Sequence, residues 1–123
     1  MTESPVSQAT EIVSRLERFY ASGNTRPLPF RKGCLGALAA AIKAHEAEFL
    51  DALHTDLRKP RVEAYASEIG FVLSDIAYAL RKLSTWMRPR RHRGPLLTWP
   101  SRGSVCPEPR GVALVIGPWN YPL

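Results

Sequence analysis

At 123 residues and 13.7 kDa the chain is long enough for one domain, or part of one, and too short for two. Its 45% hydrophobic, 23% charged and 9% aromatic residues are those of a soluble globular protein and exclude disordered, collagen-like and disulfide-framed chains. The net charge of +6 is local: Arg81, Lys82, Arg88, Arg90, Arg91 and Arg93 fall in one stretch without an acid, and the remainder balances.

The first element opens at Ser4-Pro5, where Ser suits an N-cap and Pro suits the first helical position. Val6, Ala9, Ile12, Val13, Leu16, Phe19 and Tyr20 follow at helical spacing, and Gly23 stops the helix. Thr25 to Pro29 reads as a linker, because two prolines two apart do not fit a helix interior. A long helical stretch then runs to about Leu57 with a stripe of Leu35, Leu38, Ile42, Phe49, Leu53 and Leu57. The polar residues between Ile42 and Phe49 predict a break into two helices. Gly33 and Gly36, each costing about 1 kcal/mol relative to Ala in a helix, mark close packing.

The next stripe is the most regular: Val62, Ala66, Ile69, Leu73, Ile76, Leu80, Leu83 and Met87 predict one helix ending at Arg88-Pro89. Residues 88–103, rich in proline, glycine and arginine, read as an irregular connector, with a short extended piece at Ser104-Val105-Cys106. Val112-Ala113-Leu114-Val115-Ile116 is apolar at every position and predicts a strand buried on both faces, as in a parallel sheet. Such a strand needs neighbouring strands and covering helices, and their absence predicts the N-terminal piece of a longer α/β protein. The expected organisation is a helical segment over 1–87, a connector and possible oligomerisation strand over 88–110, and the start of a cofactor domain over 111–123.

Chemistry-bearing residues are sparse. Cys34 and Cys106 have no CxxC spacing or neighbouring His, so no metal site is expected, and both read as buried small apolar residues. His45, His54 and His92 have no ligand spacing and read as solvated. Met1 to Pro5 lacks a secretory pattern, and the longest apolar run falls far short of the ~20 residues of a membrane helix, so the expected compartment is the cytoplasm.

The stretch from Glu108-Pro109-Arg110-Gly111 through the apolar run to Gly117-Pro118-Trp119-Asn120-Tyr121-Pro122 resembles the aldehyde dehydrogenase superfamily, with its Pro-x-Gly-Val turn, first strand of the cofactor domain and Trp-Asn-[Phe/Tyr]-Pro turn. Upstream, Thr25-Arg26-Pro27-Leu28, Phe30-Arg31, Leu50-Asp51-Ala52-Leu53, Asp56-Leu57-Arg58-Lys59, Glu68-Ile69 and Trp86-Met87 are similar to the class 3 branch, so the resemblance spans roughly residues 10–123. It implies N-terminal helices leading into the first strand of a parallel, Rossmann-like sheet, and a homodimer when complete. It also implies a reaction: a Cys thiolate attacks an aldehyde, hydride passes to NAD or NADP, and a Glu-activated water hydrolyses the thioester. Asn120 matches the oxyanion-hole Asn; Ile116, Pro118 and Trp119 match positions that approach the cofactor; Phe71 and Tyr121 match the substrate tunnel. The family's nucleophile and general base lie beyond Leu123, so the 123-residue chain is expected to be inactive alone.

Two other classes compete. Arg88 to Arg93 with Trp86 and Trp99 could bind nucleic acid through phosphates and stacking, but the cluster sits in a Pro/Gly connector without a nucleic-acid fold, and no nucleic-acid partner is expected. A truncated, non-catalytic partner could act through its helices and orphan strand.

Overall fold

The computed structural model describes residues 5–123. In chain order they form α1 (Pro5–Ala21), α2 (Leu28–Ala44), α3 (Glu46–Leu57), α4 (Arg61–Ala64), a π turn (Tyr65–Ile69), α5 (Gly70–Trp86), β1 (Arg90–Arg93), a 3-10 turn (Leu96–Thr98) and β2 (Arg102–Val105). The expected Ser4 cap lies outside the described residues.

Gly23 ends α1 as expected: at φ +78 it turns the chain, and its N–H donates to the Tyr20 carbonyl at 3.0 Å. The linker is shorter than expected. Helix α2 begins at Leu28 and takes Pro29 into its first turn, where no helical partner exists for the missing N–H. The expected break falls at His45, whose ψ of 18 interrupts the helix, while Glu46 and Glu48 place acid at the new N-terminus. Gly33 and Gly36 do not mark close packing, since nothing lies within 4 Å of where a Cβ would stand.

The core joins α2, α3, the α4–π segment and α5 through Ile42, Leu50, Leu53, Ala64, Ile69 and Ile76, with Leu35, Phe49, Leu73 and Leu80 packed around them. From Ile69 onward the buried face follows the expected stripe. Before it, Val62 and Ala66 are exposed, and Ala64 and Glu68 are buried instead. The π turn explains the change. Its i→i+5 bond, from the Gly70 N–H to the Tyr65 carbonyl, adds one residue to the turn and rotates the preceding segment. Ala64 and Ile69, five apart, therefore share the buried face.

The connector is not wholly irregular. β1 and β2 pair antiparallel, with Arg90 opposite Val105 and Arg93 opposite Arg102. Both strands are exposed throughout.

The expected strand at 112–116 is not formed. Leu114, Val115 and Ile116 are 84%, 88% and 82% exposed, and the sheet among the described residues is the β1–β2 ribbon alone. A strand exists by the ladder it shares, and no described segment offers this run an edge. The described residues are thus mostly helical with a small antiparallel ribbon, and the helical lead-in is present while the expected strand is unpaired. Both cysteines are exposed rather than buried, because the small core lies on other faces.

Candidate functional site

Helix α3 ends at Arg58, a non-glycine residue in the left-handed region at φ 55, a conformation costing about 1–3 kcal/mol. Pro60, extended, then starts α4. This corner sends Lys59 back toward the π turn, where the extra residue has swung Glu68 to the inside. Glu68 is 2% exposed and is the buried charged side chain among the described residues.

The two side chains grip the last turn of the chain. Lys59 Nζ donates to Glu68 Oε1 and also, at 2.8 Å, to the backbone carbonyl of Asn120. The other carboxylate oxygen, Glu68 Oε2, accepts the Leu123 N–H at 3.1 Å. Lys59 Nζ lies 4.0 Å from the centre of the Tyr121 ring, a cation–π contact. Within the turn, the Tyr121 N–H donates to the Pro118 carbonyl at 3.1 Å. Charge-assisted bonds such as those of Lys59 and Glu68 are roughly twice as strong as neutral ones. Beside the turn an apolar cleft of about 510 Å³ is lined by Phe49, Leu53, Leu57, Trp119, Pro122 and Leu123.

Trp119, Asn120 and Tyr121 therefore stand together on one braced turn. Asn120 is exposed, and its side-chain amide makes no hydrogen bond among the described residues; the hold on it runs through its backbone. Trp119 is 93% exposed along the rim of the cleft, and Ile116 and Pro118 are exposed just before it. Phe71, at the start of α5, is 62% exposed and lies three positions after Glu68. Cys34 and Cys106 open onto other clefts, the first beside Phe19 and Phe30, the second beside Trp86 and Pro107. No group of His, Cys, Asp and Glu that could hold a metal occurs among the described residues.

Lys59 and Glu68 were not legible as site residues. Glu68 adjoins Ile69 in the stripe, but an unbroken helical period turns it toward solvent. Only the π turn brings it in, and the sequence carries no mark of that turn.

The aldehyde dehydrogenase family model matches residues 1–123. The chain belongs to the aldehyde dehydrogenase family. Aldehyde dehydrogenase family 3 member F1 of Arabidopsis thaliana is 37% identical over 113 residues, which cover 92% of this chain and 23% of that protein. The dimeric NADP-preferring aldehyde dehydrogenase of Canis lupus familiaris is 39% identical over 118 residues, covering 96% of this chain and 26% of that one. Among solved structures, the substrate-bound state of Staphylococcus aureus AldH superposes with a TM-score of 0.78 at 34% identity, over 87% of this chain and 23% of that one. The chain thus spans about a quarter of the length of these aldehyde dehydrogenases. No described helix is long and apolar enough to cross a membrane.

Proposed function

We propose that the chain is the N-terminal part of a class 3-type, NAD(P)-dependent aldehyde dehydrogenase that converts an aldehyde to a carboxylate. The observation that carries this reading is the state of Asn120: its backbone is held by Lys59 while its side-chain amide stays exposed and unengaged among the described residues. A neutral amide donor, carried on a braced backbone and left free to bond, stabilises the oxyanion that develops as a thiolate adds to the carbonyl carbon. Trp119 and Tyr121, from the same turn, and Phe71, from α5, would line the approach of the aldehyde.

Ile116, Pro118 and Trp119 present apolar surface suited to a flat ring, and this segment carries no cation for a pyrophosphate. They fit the ring portion of NAD or NADP and leave its phosphates to residues outside 116–119. The cofactor, when bound, supplies the hydride acceptor. Cys34 and Cys106 line other clefts than the one at Trp119, so in this reading the nucleophile comes from outside these 123 residues and the chain alone is expected not to turn over substrate. The exposed ribbon within 88–110 is the contact surface for a second copy in the complete dimer.

The test is aldehyde-dependent formation of NADH or NADPH by the complete protein carrying this chain. Asn120→Ala should lower kcat by about 10²–10³, the usual cost of one oxyanion donor. No aldehyde-dependent reduction in the parent, or an unchanged kcat in Asn120→Ala, overturns the reading.

A further inference from the structure

The geometry points to Lys59 and Glu68 as positioning residues that aim the Asn120 amide, a role that rests on the oxyanion function proposed for Asn120. Glu68 is anchored in the core by the π turn, and both of its carboxylate oxygens serve the last turn of the chain: Oε1 holds Lys59, and Oε2 holds the Leu123 N–H. Lys59 passes that anchorage to the turn through the Asn120 carbonyl and the Tyr121 ring. The turn from Asn120 to Leu123 is thereby tied at its carbonyl, its aromatic face and its last N–H to a single buried carboxylate.

Each of these ties falls beside the Asn120 side chain and none falls on it. The pair reaches a carbonyl 61 positions along the chain, so whatever else it stabilises it carries its anchorage to the Asn120 turn. The arrangement fixes the peptide plane from which the amide projects and leaves its N–H groups for the substrate. Release of the clamp lets that plane rotate. A displacement of about 1 Å in a catalytic donor costs on the order of 10²-fold in rate.

The experiment is a kinetic double-mutant cycle in the complete protein, with kcat and KM measured for aldehyde and cofactor. Lys59→Met should lower kcat by about ten- to a hundredfold, with KM changed less than about threefold. Lys59→Arg, which keeps the charge, should restore part of the loss. Placed on Asn120→Ala, Lys59→Met should cost kcat far less than in the parent, because the group it aims is gone. A kcat unchanged in Lys59→Met, or the same factor lost again in the Asn120→Ala background, overturns the proposal. Should Lys59→Met fail to fold, the variant Lys59→Met/Glu68→Gln, with no charge left buried, carries the test: the same kcat loss supports the clamp and full kcat overturns it. A parent without aldehyde oxidation, or a fully active Asn120→Ala, overturns instead the functional reading on which the clamp rests.

Discussion

The Tyr20 hydroxyl donates to the Pro109 carbonyl at 2.7 Å, tying α1 to a residue 89 positions away, just ahead of the apolar run. The ring also packs on Gly111, which sits at φ +110 and would place a Cβ 3.7 Å from Tyr20 Cε1. Helix α1 is otherwise lightly held, through contacts such as the Phe19–Phe30 ring pair at 6.0 Å. Tyr20→Phe keeps the ring and removes the bond, so it should cost the complete protein about 0.5–1.5 kcal/mol, read as a lower urea midpoint with an unchanged slope. Gly111→Ala should cost more, since its backbone conformation is strained for any side chain.

The Lys59–Glu68 pair makes a second prediction, on stability rather than rate. Removing Lys59 alone leaves a buried carboxylate with the Leu123 N–H as its remaining partner. Lys59→Met should therefore cost about 3–5 kcal/mol, and Lys59→Met/Glu68→Gln should recover most of it, because breaking a buried pair is worse than replacing both members. Denaturant titration of the two variants decides the point. Equal losses in both would show that Glu68 is not buried in solution.

Gly70 is the third. A Cβ there would meet the Tyr65 carbonyl oxygen at 3.1 Å and the Tyr65 ring at 3.3 Å, the first of them the acceptor that closes the π turn. Gly70→Ala should destabilise by about 1–3 kcal/mol as an overpacked site. Its kinetic cost should appear in kcat through Glu68, which the turn carries inward. An Ala variant with the parent melting temperature would show that the turn can widen freely.

Much of this architecture could be read from the residues. Gly23 stops α1, the charged residues between Ile42 and Phe49 split the second helical stretch, and Ile69, Leu73, Ile76, Leu80 and Leu83 face inward as their spacing demands. Asn120, Trp119 and Tyr121 were visible through the motif that holds them. Periodicity fails where geometry depends on one inserted residue: the π turn moves burial from Val62 and Ala66 to Ala64 and Glu68, and with it the anchor of the site. The run at 112–116 fails for another reason. Its apolar residues report what a strand requires on both faces, and a ladder forms only when a neighbour supplies the other half.

That unpaired run gives the fourth prediction. Residues 1–123 expressed alone should bind ANS and associate, since Leu114, Val115, Ile116 and Trp119 together offer an exposed apolar surface. Replacing Leu114 and Ile116 with Lys should reduce both signals. An isolated chain that stays monomeric and dark toward ANS would show that this segment folds back onto the helices.

In the β1–β2 ribbon, the pair nearest the connecting loop sets Arg93 directly opposite Arg102, with Arg90 and Arg91 on the same strand as Arg93 and no acid between positions 90 and 105. Like charges face to face weaken a strand pair. The hairpin is therefore a spring loaded by its own guanidinium groups, and its response to salt has the opposite sign to that of an ordinary ion pair. Rising ionic strength, with a Debye length shrinking from about 30 Å at 0.01 M to about 8 Å at 0.15 M, tightens it. An acidic surface laid along the ribbon would have the same effect at a single place.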